Sequence, residues 1–382
     1  MEKIVVLSEV FPPQHGGSGR WFWELYSRIT QHEIHVYTHI QPDAKDSDEV
    51  FPSTVVRGHL QSSEWGVISR VGLRFYGGRI KALYHYCKAH HITQIHSGRV
   101  LHEGLIGMIV AKLLGIRHLV FVHGEDIETT AVSREHDFLA RQVFRYSHQA
   151  ICNSHNSQRV MQRLGYVCRT IDVIHPGADA GKFVPASPDQ QTREALGWQD
   201  KFVILTVGRL QARKGQDKMI EALVELKQHI PNVLYVIVGN GDTKAQLQSL
   251  TEELDLSAHV QFKSELDDAQ MLQCYQQCDL FILPNRSINN DIEGFGMVLV
   301  EAQLCSKVVL AGDSGGTCEA LSQDHSGLIV DCTEPSTIAR AIAELYQQPD
   351  RLAKLAEQAR PFAKTSFDWA GHVKTFCQRV GL

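Results

Sequence analysis

Short runs of β-branched and aliphatic residues punctuate the chain, and between them apolar positions recur with helical spacing. The runs lie at 4–7, 33–38, 93–96, 118–122 and 150–153, then at 202–207, 233–238, 260–263, 280–283 and 308–311. Strand-like runs alternating with helix-period segments predict βαβ units and parallel sheets. The stretch 177–197, with Pro185, Pro188 and Asp189-Gln190-Gln191, breaks that rhythm and reads as a linker. About half a dozen strands fall on each side, which predicts two doubly wound domains. Facing each other, they would set the carboxyl ends of both sheets on a shared cleft. The expected boundaries are 1–178 for the first domain and 179–361 for the second. A tail helix at 362–382, entered through Pro361, follows with Phe362, Phe367, Trp369, Val373 and Phe376 apolar, and would pack on either domain, the first included.

Composition narrows the class. At 382 residues the chain exceeds one ordinary core, so two domains are expected on length as well. Hydrophobic residues at 43% and charged residues at 21% exclude a largely disordered chain. No apolar run approaches the roughly 18 residues of a spanning helix, and the N-terminal segment reads as a strand rather than a signal peptide. A cytoplasmic location is the expectation. Nine cysteines without a Cys-x-x-Cys argue against a disulfide framework or a structural zinc site. The net charge of -5 gives no case for nucleic acid as a partner. It conceals an asymmetry: Lys and Arg number 19 against 17 acids to residue 180, and 19 against 26 beyond it, while 16 of the 20 histidines lie in the first part.

Four segments carry candidate chemistry. Pro12-Pro13-Gln14-His15-Gly16-Gly17-Ser18-Gly19-Arg20 follows the first strand. Its glycines would let backbone approach an anion, Ser18 would cap the next helix, and Trp21, Phe22, Leu25 and Ile29 would give that helix its buried face. A purely structural turn fits the loop equally. The third glycine of the dinucleotide fingerprint is missing. Val122-His123-Gly124-Glu125-Asp126 stands at a strand end, where His123 would donate to a substrate oxygen; a packing histidine is the plainer reading. In Gly208-Arg209-Leu210-Gln211-Ala212-Arg213-Lys214-Gly215, Arg209 and Lys214 are five residues apart across a strand-to-helix loop and would converge on one anion, as a pyrophosphate requires. In Asp291-Ile292-Glu293-Gly294-Phe295-Gly296-Met297, Glu293 sits in a glycine loop that opens a helix bearing Glu301 among Leu299, Val300 and Ala302. A buried carboxylate needs partners, and the vicinal hydroxyls of a sugar, or an internal Arg, would serve. The amides of Phe295, Gly296 and Met297 would lie at a helix N-terminus that favours an anion.

In this order the segments resemble the retaining glycosyltransferase family 4, built on the GT-B architecture of two Rossmann-like domains. The resemblance spans nearly the whole chain. It rests on Glu293 and Glu301 with Gly-Phe-Gly between them, on Gly208-Arg209 with Lys214-Gly215, and on Val238-Gly239-Asn240-Gly241. It implies that Arg209 and Lys214 hold the donor diphosphate and that Glu301 binds the ribose diol. It further implies that Glu293, Gly294, Phe295, Gly296 and Met297 contact sugar and phosphate, that Gly16 and Gly17 close over the diphosphate, and that His123 meets the sugar near the breaking bond. Glu265 and Leu266 stand where family members frame the base, although Lys263-Ser264 replaces the usual glycine. The wording around 291–303 is similar to that of mannosyltransferases using GDP-mannose, and UDP-sugar enzymes share the frame.

The implied reaction moves a hexose from a nucleotide-diphosphate sugar to a glycan or lipid-linked saccharide acceptor, as in polysaccharide or glycolipid biosynthesis. Same-face attack is the implied route to retention, with Glu293 as a covalent nucleophile the alternative. No cofactor is expected. Arg209, Lys214 and the loop amides would supply positive potential where the leaving group gains charge, so no metal is expected either; the lone Asp46-Ser47-Asp48 reads as a solvated loop. From Trp65 to Lys88, Arg70, Arg74, Arg79, Lys81 and Lys88 interleave with Ile68, Val71, Leu73, Phe75, Tyr76, Ile80 and Leu83. Such a stretch suits either an ordinary helix with a wet basic face or a peripheral contact with an anionic membrane. A non-hydrolysing nucleotide-sugar epimerase and a catalytically silent partner subunit share the architecture and stand as alternatives.

Overall fold

The computed structural model describes residues 1–14, 16–62, 64 and 66–382, and the chain divides into two units. The first comprises Met1–Pro176 together with Ala370–Leu382, the second Gly177–Trp369.

In the first unit, β1 (Lys3–Ser8), β2 (Glu33–His39), β3 (Thr54–Gly58), β4 (Gln94–Ser97), β5 (Arg117–Val122), β6 (Gln149–Cys152) and β7 (Ile171–Val173) form one sheet in the order β3-β2-β1-β4-β5-β6-β7. Every pairing is parallel. The second unit has β8 (Phe202–Val207), β9 (Val233–Val238), β10 (Val260–Lys263), β11 (Leu280–Leu283), β12 (Val309–Gly312) and β13 (Gly327–Val330), in the order β10-β9-β8-β11-β12-β13 and again parallel. In β8, Val203, Leu205 and Val207 enter one core layer and Ile204 the other. Helices cover both faces, which is why the central strands are apolar throughout rather than at alternate positions.

Ten strands coincide with the apolar runs. The other three, β3, β7 and β13, lie at sheet edges. The stretch 177–197 is not a linker: Ala178, Ala180 and Phe183 are buried in the second unit's core. It also holds the helix Gln190–Leu196, whose N-cap Asp189 accepts from the Thr192 amide at 2.7 Å.

The tail also differs from expectation. Pro361 lies inside the helix Pro349–Phe367 and starts nothing; the chain breaks at Asp368, and the helix Trp369–Val380 begins there. The second unit thus runs on past residue 361. Phe376, fully buried, stacks on Phe121 at 6.1 Å between ring centroids and meets Tyr26 edge-on at 5.9 Å, fastening the last helix to the first unit. All nine cysteines are free and seven are buried. Among the described residues no helix is long and apolar enough to cross a membrane.

Candidate active site

The second unit gathers most of the candidate residues at the carboxyl ends of β8, β9 and β11. Beyond β8 and β9 two turns pass backbone against backbone: a Cβ on Gly239, at φ 149°, would stand 2.0 Å from the Gly208 carbonyl oxygen. The loop after β8 closes in a single turn, Ala212–Lys214, followed by Gly215 in the left-handed region, where a Cβ would lie 1.7 Å from the Pro284 oxygen. Only glycine fits there. The Arg286 amide donates to the Arg213 carbonyl at 2.8 Å, and its guanidinium holds Asp217 through two bonds of 2.8 and 2.7 Å. The basic loop is therefore fixed to the loop after β11 before any ligand arrives.

Arg209 and Lys214 are placed differently from expectation. Arg209 is exposed, whereas Lys214 is buried beside Arg213, itself only 5% exposed. Both buried cations converge on Glu293: Lys214 Nζ lies 2.5 Å from Glu293 Oε2, and Arg213 Nη1 donates to the same oxygen. Arg213 Nε also pairs with Asp291 Oδ1 at 3.0 Å. Burial alone would raise the Glu293 pKa, but Lys214 and Arg213 override it and hold the carboxyl at about 2. Arg213 was not among the residues singled out from sequence, because its neighbour Lys214 carried the motif and a second adjacent cation reads as surface charge.

Behind this cluster, Gly296 at φ 86° caps the helix Met297–Leu304. Phe295 is buried against Phe367, edge-on at 5.5 Å, so only its backbone is available to a ligand. The Gly316 amide donates to the Glu293 carbonyl at 2.9 Å. The Gly315-Gly316 turn after β12 thus shapes the loop from behind; its glycine pair after a strand was the available signal. Glu301 is 2% exposed, and Tyr275 donates its hydroxyl to Oε2 at 2.7 Å. Glu265 is exposed at φ 57°, while Leu266 packs on the core.

The first unit contributes Gly16, Gly17 and His123; His15 lies outside the described residues. The helix Gly17–Tyr26 starts before Ser18, with Gly16 as N-cap and no side-chain cap, so Ser18 belongs to its first turn. His123 is 7% exposed and bordered edge-on by Trp21 and Phe22 at 5.8 and 6.0 Å. Burial, only partly opposed by Asp126, lowers its pKa. Its Nε2 lies 2.8 Å from the Gly98 carbonyl, which can only accept, so the neutral ring's one N–H is donated there. The ring as placed therefore presents an acceptor, Nδ1, rather than the donor expected from sequence. Asp46 and Asp48 lie on the short helix Lys45–Val50, where Asp48 pairs with Arg57 at 2.7 Å.

Residues 188–362 match the family Glycosyl transferases group 1, and residues 15–182 match Glycosyltransferase Family 4. The chain belongs to glycosyltransferase family 4. Over 376 residues, 96% of this chain and 95% of the relative, it is 27% identical to a GDP-mannose-dependent alpha-(1-6)-phosphatidylinositol monomannoside mannosyltransferase of Mycolicibacterium smegmatis. It is 30% identical over 266 residues to a D-inositol 3-phosphate glycosyltransferase of Rhodococcus opacus, covering 67% of this chain and 57% of that one. Among solved structures, Anabaena HepE in complex with UDP and glucose superposes with a TM-score of 0.84 at 22% identity, each chain covered in full. The two parallel, doubly wound units are those of the GT-B fold. Within this family-4 glycosyltransferase, which acts on nucleotide sugars, the Arg213–Lys214–Glu293 cluster and Glu301 occupy the unit matched by the group 1 family.

Proposed function

We propose that this glycosyltransferase transfers mannose, with retention and without a metal, from GDP-mannose to a glycan or lipid-linked saccharide at the cytoplasmic face of a membrane. The observation that carries the reading is the buried cluster in which Arg213 and Lys214 share the single carboxylate of Glu293. Among the described residues Lys214 has Glu293 as its one carboxylate partner, whereas Arg213 is also held by the exposed Asp291, so Lys214 is the preorganised cation that a diphosphate can take over. A donor diphosphate would take over Lys214, aided by Arg209 from the exposed side, and would release Glu293 to the sugar hydroxyls. Glu301, already oriented by Tyr275, would take the ribose diol. As the glycosidic bond breaks, negative charge develops on the departing phosphate, and the fixed cations stabilise it there without reorganising. In the unliganded chain Lys214 and Arg213 hold the Glu293 carboxyl at about 2, so it meets an arriving donor as an anion and accepts hydrogen bonds from its hydroxyls.

Mannose and guanine are supported by the GDP-mannose dependence of the 27% identical relative and by the residues at 291–303. Membrane contact is supported by the helix Arg70–Ala89, where Arg70, Arg74, Lys81 and Lys88 are exposed beside Val71 at 43% and Leu73 at 59%, with Ile68 at 66% just before it. Trp65 lies outside the described residues. The test is a calorimetric screen of GDP-mannose, UDP-glucose and ADP-glucose against the whole chain, followed by product analysis with a saccharide acceptor. Selective binding of GDP-mannose and an α-mannoside product are expected. Preference for another nucleotide, or conversion of the donor to an epimer without acceptor, would overturn the reading.

A further inference from the structure

The first unit's sheet reverses its strand order between β1 and β4, and open parallel sheets bind ligands outside the carboxyl ends at such a reversal. Glu9 follows β1 directly, Arg99 lies two residues beyond β4, Glu103 is in the turn Val100–Gly104, and Asp126 follows the adjacent β5. The charges of Glu103, Asp126, Glu125 and Glu9 all act on Arg99. Nevertheless the Arg99 side chain has no hydrogen bond, and no ion pair within 4.0 Å, among the described residues. A guanidinium ringed by carboxylates it does not touch leaves positions for an intervening polar ligand.

Two enclosed oxygens strengthen the case. Glu103 is 2% exposed; one carboxyl oxygen accepts from the Glu9 amide at 2.9 Å, and the other, Oε2, is buried with no partner. Asp126 uses Oδ1 to accept from the His123 amide at 3.0 Å, while its Oδ2 is likewise buried and unpartnered. Leaving such oxygens unsatisfied is costly, and native proteins seldom do so without a use for them. Hydroxyl groups match this set, since each can donate to a carboxyl oxygen and accept from the guanidinium. A phosphate would meet one cation among four acids.

We propose that Glu9, Arg99, Glu103 and Asp126 form a polyol-binding subsite, which takes the hydroxyls of an uncharged saccharide and disfavours a phosphorylated one at these positions. Its identification as the acceptor subsite rests on the transferase reading above; its binding chemistry does not. The first part of the sequence is basic on average, but the charges acting on Arg99 here are those of acids. The names of the two relatives combine polyol rings with a phosphate, and the residues here fit ring hydroxyls rather than the phosphate.

The test is saturation-transfer NMR on the full chain at pH 7 with methyl α-mannopyranoside and, separately, mannose 6-phosphate. The neutral sugar should bind, and the phosphorylated one should bind at least about tenfold more weakly. Glu103→Gln and Glu9→Gln should each weaken methyl mannoside binding by about tenfold, with circular dichroism and GDP binding in the second unit unchanged as controls for folding. Equal or tighter binding of mannose 6-phosphate, no transfer to the neutral sugar, or wild-type binding by both variants would overturn the proposal. Should one variant fail to fold, the other and the wild-type sugar comparison still decide. Because binding is measured, inertness toward every nucleotide sugar would sink the transferase reading while leaving this result standing.

Discussion

Lowering the pH from 7 to 5 should weaken the first unit, and the size of the effect can be worked from its buried histidines. His96 and His118 are fully enclosed: His96 Nδ1 meets the Tyr26 hydroxyl at 2.7 Å, and His118 is held between Ser97 and Ser147 at 2.9 Å each. Burial pushes both imidazoles down to about 3 from the ordinary 6.5. A depressed folded pKa contributes stability that is complete above 6.5 and is lost as the pH falls toward 3, because the unfolded chain binds protons that the native state refuses. Between pH 7 and 5 each ring accounts for about 2 kcal/mol. Glu103 opposes this. Burial, moderated by Arg99, raises its carboxyl to about 7, so the native state gains a proton in the same interval and recovers about 2 kcal/mol. A net loss of about 2 kcal/mol remains, and His39, His102, His123 and His148, all lowered chiefly by burial, add to it. For a unit of this size that is roughly 4–8 °C in melting temperature. Scanning calorimetry can separate the units, since GDP should raise only the second unit's transition. The GDP-insensitive transition should fall on acidification, and His118→Gln should abolish most of the fall. An unchanged or rising transition at pH 5, or an undiminished fall in His118→Gln, would refute the reasoning.

Other expectations concern the donor site and its surroundings. Lys214→Ala and Glu301→Ala should each weaken donor binding or turnover by about ten- to a hundredfold, the worth of one or two charge-assisted hydrogen bonds; near wild-type kinetics in either would remove it from the site. Transfer activity should survive EDTA, since Arg213, Lys214 and Arg209 supply the positive charge, and strict recovery by Mg²⁺ or Mn²⁺ would contradict that. The chain should cosediment with anionic vesicles in low salt and lose binding when Arg70, Arg74, Lys81 and Lys88 are neutralised together. Unaltered binding by that variant, or no binding by wild type, would dismiss the peripheral contact.

Most of the fold that could be read in the sequence has two-sided burial, although the edge strand β10, with one buried residue, was legible and β13, with three, was not. Central strands such as β8 and β9 are covered on both faces and spell out continuous apolar runs. In β3 and β7, at the sheet edges, no residue is fully buried, and neither run stands out from its surroundings. Lys214, Glu293 and Glu301 were legible because their surroundings made a charge conspicuous: a glycine loop for the first two, an apolar helix for the third. Arg213 was not, since adjacent positions on a loop are normally assumed to point apart, and only the turn Ala212–Lys214 brings both cations to one oxygen. His123 shows the opposite failure. Its location was legible, but the donor role depended on where its N–H points, and that is decided by the Gly98 carbonyl on another strand end. The stretch 177–197 looked like a linker because its prolines and polar residues outnumber its apolar ones, yet three small or aromatic side chains suffice to anchor it in the core.

The return of the helix Trp369–Val380 to the first unit makes the second unit an insertion within the first. On the ribosome this inverts the usual order. The residues ahead of the second unit cannot complete their core until Phe376, made after the whole of that unit, reaches Phe121 and Tyr26. The second unit is continuous in sequence and can close while its neighbour still waits for its final helix. A stop codon before residue 370 would therefore damage the unit that lies ahead of the insertion, not the one next to the break.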